Sequence, residues 1–154
     1  MKFVFWPIPA VLSATFLLLA CSHQVELKAE QTRVEAQGLA LQVNWLKDKG
    51  KKYDVELGIT NNTGKDIVFQ LGDMSCFRGT QQGMLKHTFF NTGERTIDFR
   101  SGQAKIFRLV CTLGNVAEGE YMIKIHNIRE NPNGDGSSTG KLLIKSIAWK
   151  APAQ

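Results

Sequence analysis

Apolar residues recur at every second position through most of this chain, and that period constrains the fold more than any other feature. Leu39, Leu41, Val43 and Trp45 alternate with Ala40, Gln42 and Asn44, and Tyr53, Val55, Leu57 and Ile59 repeat the pattern after Asp48-Lys49-Gly50. A period of two puts one side of an extended segment in a core and the other in solvent. The polar cluster Asn61-Asn62-Thr63-Gly64-Lys65-Asp66 is rich in residues that tolerate turn dihedrals, and Ile67, Phe69 and Leu71 carry a return strand. Gly72-Asp73 interrupts it. Met74 to Phe77 is a short extended piece holding Cys76, and Gly79 to Gly83 reads as a turn. Leu85, His87 and Phe89 alternate next, followed by the Asn91-Thr92-Gly93 turn, an extended run from Thr96 to Phe99 and the turn Ser101-Gly102-Gln103. Ile106 to Thr112 is strongly apolar, Tyr121, Ile123 and Ile125 alternate with Met122, Lys124 and His126, and Leu142 to Trp149 forms the last run.

Seven to nine short strands separated by turns, with no convincing amphipathic helix, predict an all-β antiparallel sandwich. Residues 25 to 36 read as a tether passing into an edge strand. The loop from Glu130 to Gly140 holds Asn, Pro, Gly, Asp, Ser and Thr almost without interruption, and is expected on the surface.

The first residues follow a different logic. Lys2 supplies a minimal positive start, Ala10 to Ala20 is apolar, and Leu18-Leu19-Ala20-Cys21 gives way to the polar Ser22-His23-Gln24. This resembles the lipobox of bacterial lipoprotein precursors. The resemblance implies a signal peptide over residues 1–20, cleavage before Cys21, lipidation of the Cys21 thiol, and a membrane partner met through that lipid. Pro7 and Pro9 argue against a spanning helix. Small residues at Ala20 and Ser22 also suit the ordinary signal peptidase, which would leave no lipid. In Gram-negative lipoproteins a residue other than Asp after the cysteine, here Ser22, passes the protein to the outer membrane, facing the periplasm.

Removal of residues 1–20 leaves 134 of the 154, enough for one domain with its own core. The organisation expected is a lipidated N-terminus with tether or edge strand over 21–37, a sandwich over 38–150 and a tail over 151–154. With Cys21 assigned to lipid, Cys76 and Cys111 are the remaining thiols, and an oxidising compartment permits a disulfide between them. The alternative is two separate buried thiols.

The segment Ala117-Glu118-Gly119-Glu120-Tyr121-Met122-Ile123 resembles the small-x-Tyr start of strand F in immunoglobulin-like domains. That likeness implies an immunoglobulin-like sandwich with Tyr121 as a structural tyrosine corner. It departs from antibody domains at Ile123, where the second cysteine would stand. A weaker likeness, covering Leu57 to Ile125, is to the intracellular proteinase inhibitor family, through the Asn61-Asn62 turn and Gly119-Glu120-Tyr121. Such features record fold geometry more than activity, and no inhibitory loop is carried over.

The formal charge of +5 falls to +4 without Lys2, and basic residues are interleaved with carboxylates, as in Lys28, Glu30, Arg33 and Glu35. No run reads as a nucleic-acid patch. H-E-x-x-H, G-x-S-x-G, S-x-x-K and a phosphate-cradling glycine loop are all missing from the sequence, so no catalytic residue, metal site or cofactor is expected. Function is then expected at the surface, in contact with another envelope protein. The residue types favoured at interfaces, Met74, Phe77, Arg78 and Met84, mark a candidate partner-binding loop, with Gly79 and Gly83 allowing close approach, although Met74 and Phe77 read more readily as core residues. A glycan or small-ligand module is the alternative, although Trp45 and Trp149 read as core aromatics. A proteinase inhibitor or an unrecognised hydrolase stands behind it.

Overall fold

The computed structural model describes residues 22–87, 96–136 and 139–152. The proposed signal peptide and Cys21 therefore lie outside the described residues, as do Phe89, the 91–93 turn and the last two residues of the tail. Eleven strands are present: β1 (His23–Val25), β2 (Arg33–Ala36), β3 (Leu39–Asp48), β4 (Lys52–Asn61), β5 (Ile67–Gln70), β6 (Met74–Arg78), β7 (Gln81–His87), β8 (Thr96–Phe99), β9 (Ala104–Thr112), β10 (Tyr121–Glu130) and β11 (Leu142–Ala151). The only helical segments among the described residues are two single 3-10 turns, at Ala29–Gln31 and Leu71–Asp73. The all-β expectation holds, with eleven strands in place of seven to nine. The excess comes from β1 and β2, pieces of three and four residues too short to show a period.

Every pairing is antiparallel. One layer runs β1 and β2 against β3, then β4, β9 and β7; the other runs β11, β10, then β6 and β5, with β8 beside β5 and β7 beside β6. Strand β7 belongs to both. Its Gln81, Gln82 and Gly83 pair with Arg78, Phe77 and Cys76 of β6, whereas Met84 to His87 pair with residues 109–112 of β9.

The layers face each other across a continuous core that runs from Val25 to Ala151. The chain from Ser22 onward thus carries its whole described core. The period of two slips in β10 and β11, where the buried set steps from Ile125 to Ile128 and from Ile144 to Ile147, and earlier in β3. A bulge between Val43 and Trp45 opposes two residues of β3 to one of β4, so Leu46 and Asp48 point inward and Trp45 is left half-buried, out of the core-facing set. Trp149, by contrast, is buried as expected, and its indole N–H donates to the Gln31 carbonyl at 2.6 Å, closing β11 over the segment before β2.

Candidate functional site

Cys76 and Cys111 form a disulfide that joins β6 to β9. The strand between them is β7, and Gly83 is the residue over which the bridge passes. A Cβ at Gly83 would stand 2.4 Å from the Cys111 sulfur and 3.1 Å from the Cys76 sulfur. The glycine expected to admit a partner instead admits the protein's own disulfide. The turn between β6 and β7 is correspondingly shorter than the sequence suggested, only Gly79 and Thr80. At Gly79 the requirement is conformational as well, since its φ is 55° and an added Cβ would meet the Glu118 carbonyl at 2.4 Å.

Alternation along β6 and β7 separates the four residues expected to form one binding loop. Met74 and Arg78 are buried on the inward side of β6, Phe77 is half-buried opposite Met122, and Met84 is 65% exposed on β7. They occupy strands, and Met74 and Arg78 face the core while Phe77 and Met84 lie on the outward face. Residue type alone suggested an interface; the strand period, which those same residues obey, decides where each one points.

Where β7 leaves β6 for β9, the two strands splay and open a cleft of about 560 Å³. Its walls are Gln70 and Leu71 from the turn after β5, Met74 from β6, and Gln82, Leu85 and His87 from β7. The mixture of amide, imidazole and aliphatic groups suits a peptide or polar ligand better than a purely apolar one. Burial pushes the His87 imidazole below its ordinary pKa, because desolvation penalises the charged form. The sequence reading had placed His87 on a strand but gave it no role, since the residues facing it lie far away in sequence.

At one end of the molecule a polar network sits inside the core. The Asp48 carboxylate accepts from the Gly50 amide at 2.7 Å, from the Arg78 guanidinium at 3.0 Å and from the Tyr121 hydroxyl. Arg78 also lies 3.6 Å over the Tyr121 ring, and Tyr53 meets that ring edge-on at 5.2 Å. Tyr121 is therefore not a main-chain corner: its hydroxyl is directed at a side chain on β3. Tyr53 takes the main-chain role, its hydroxyl lying within 3.1 Å of the carbonyls of Phe77 and Met122 and so tying β4 to β6 and β10. Burial raises the Tyr53 pKa well above its usual value. This cluster is a bolt between layers, and Arg78 is spent on it rather than on a partner. Its members are 30 and 73 residues apart, so the sequence showed Asp48 only as a turn residue and Tyr53 only as a strand residue.

No group of three or more His, Cys, Asp or Glu side chains able to hold a metal occurs among the described residues. His23 is exposed at the start of β1, and His126 lies half-buried on β10 opposite Ser146. The chain enters the described structure at Ser22, and His23 pairs with Asp48 at the end of β3. Cys21 lies outside the described residues, one position before that entry point.

No protein-family model and no curated protein matches the chain. Among solved structures, it is similar to the crystal structure described as that of a "putative lipoprotein (ycdA)" from Bacillus subtilis, with 14% identity and a TM-score of 0.50 over 80% of this chain. The chain spans 39% of the length of that structure. At this identity the likeness is one of fold, and it supports the all-β architecture.

Proposed function

We propose that this is a non-catalytic, lipid-anchored protein of a bacterial envelope, held to its membrane through Cys21 and acting by contact with another envelope protein. The observation that carries the reading is the buried Cys76–Cys111 disulfide. A bridge between two fully buried cysteines belongs to an oxidising compartment, and the Leu18-Leu19-Ala20-Cys21 motif supplies a route to one. The fold shared with a Bacillus subtilis structure whose description names a lipoprotein is consistent with it. Ser22 after the cysteine favours an outer-membrane address in a Gram-negative cell. Two β-layers facing each other favour the immunoglobulin-like description, although the strand order is carried continuously through β7. The cleft between β6 and β7 is the surface we assign to the partner. The glycan alternative has less support, because Trp149 is inside the core and Trp45 is half-buried.

Two measurements test this. Metabolic labelling with a fatty-acid analogue is expected to mark the native chain and not Cys21→Ala; equal labelling of both refutes the anchor. A photo-crosslinking residue at Gln82, on the rim of the cleft, is expected to give a discrete adduct in intact cells. The same residue at Lys105, on β9, is the comparison, and adducts of equal yield at both positions refute the cleft as the contact.

A further inference from the structure

The end of the molecule where the chain enters also carries the densest run of lysines in the sequence. β1 begins at His23, directly beside Asp48, so the described chain starts next to the tip of the β3–β4 hairpin. That hairpin carries Lys47, Lys49, Lys51 and Lys52 within six positions. Lys49 is neutralised by Asp54, Lys150 by Glu120, and Arg78 by Asp48. Lys47, Lys51 and Lys52 are exposed and form no ion pair within 4 Å among the described residues, and Asp54, across from Lys47 on β4, is the carboxylate that the hairpin sets against its four lysines. The loop after β9 lies alongside, tied by the Leu113 amide to the Lys51 carbonyl at 2.8 Å, and it holds Val116, which is 66% exposed. Lysines around an exposed aliphatic residue are the composition of a surface that rests on lipid headgroups.

We infer that this end of the molecule is a docking face for an anionic bilayer, formed by Lys47, Lys51, Lys52 and Val116. The inference rests on the Cys21 anchor for its geometry. Two residues span at most about 7 Å, so acyl chains on Cys21 would leave almost no spacer before β1. Of the tether or edge strand expected over 21–37, the described part is strand, paired with β3 at 23–25 and 33–36. Lysines on the adjacent hairpin then fall within roughly one Debye length of the headgroups, where their attraction is not screened away. The chain's entry point and the charge of the surface beside it thus specify the same occupant. The cleft between β6 and β7 runs along β7 towards His87 and includes none of these lysines.

Vesicle flotation of the chain from Ser22 onward tests the face without the anchor, since that chain retains the whole described core. It is expected to float with vesicles of phosphatidylcholine and phosphatidylglycerol, to stay behind with phosphatidylcholine alone, and to be released by high salt. Each lysine near such a surface is worth roughly a fivefold change in partition. K47E/K51E/K52E should therefore lower binding by about 100-fold or more, whereas K141E/K145E, on β11 and the loop before it, should not. Binding that ignores phosphatidylglycerol, or that responds equally to both variants, overturns the inference. The mass of Cys21 in protein taken from its own membranes reports on the anchor separately. An unacylated Cys21 together with lysine-dependent flotation supports the face while refuting the anchor.

Discussion

Replacing Gly83 with alanine is the most discriminating change in the fold. The new methyl group would sit 2.4 Å from the Cys111 sulfur and 3.0 Å from the Thr112 carbonyl. Nonbonded carbon contacts have their optimum at roughly 3.5 to 4 Å, so the overlap with sulfur is about 1 Å. The sulfur cannot rotate away, because its position is fixed by the bond to Cys76. Either β7 moves and disturbs pairing with both β6 and β9, or the bridge fails to form. We expect the second. The cysteines are 35 positions apart, and on the chain-entropy model losing such a loop costs about 4 kcal/mol. For a domain of this size that corresponds to a Tm lower by roughly 10 to 15 °C. Alkylation in denaturant without reductant should then label both Cys76 and Cys111 in Gly83→Ala and neither in the parent. The matched comparison is Gly83→Ala in a Cys76→Ala, Cys111→Ala background, where the sulfurs are gone. There the methyl group meets only the Thr112 carbonyl, and its cost should drop to about 1 kcal/mol. A Gly83→Ala protein that resists alkylation and unfolds at the parental denaturant midpoint would refute the reasoning.

Further expectations concern the buried polar groups. Arg78→Met leaves the Asp48 carboxylate buried without its cation, which costs about 3 to 5 kcal/mol, and adding Asp48→Asn should recover part of the loss; a double variant no more stable than Arg78→Met removes the ion pair from the account. Tyr53 should fail to ionise in the folded state when absorbance is followed to high pH, so that at most one of the two tyrosines titrates before unfolding; two titrating tyrosines would contradict its burial. Because burial lowers the His87 pKa, the unfolded chain binds a proton that the folded chain resists. Stability is therefore full above the unfolded value of 6.5 and falls as the pH drops through it, levelling once the folded value is passed. Urea midpoints should show this slope in the parent and a shallower one in His87→Gln; identical slopes exclude His87 as its source.

The strands were legible because period-two alternation is written locally, and Leu39 to Ile59 needed no distant information. The disulfide was legible by assignment of the third cysteine to lipid. What stayed hidden depends on contacts between residues far apart. Asp48 looked like an ordinary turn former until β3 carried it inward past the bulge at Val43 and Trp45, where Arg78 and Tyr121 neutralise and bind it. Arg78 was assigned to a surface because residue type was weighed above strand parity, whereas the core reading of Met74 agrees with its burial. The splaying of β7 has no local signature at all, since each of its halves reads as a normal strand and only the change of partner opens the cleft.

The three-residue pairing of β1 also sets how the molecule meets mechanical load. A pull applied at the N-terminus reaches the fold first through His23, Gln24 and Val25 on β3, ahead of the longer β2 contacts. Those few bonds are the first to yield, and residues 22 to 32 would then pay out as slack of roughly 35 Å. The core loses Val25 and the half-buried Leu27, and Trp149 loses its bond to Gln31, while the remainder stays bolted by the disulfide and by Asp48. In a chain anchored through Cys21 as proposed, stretching would thus lengthen the connection before it threatened the domain.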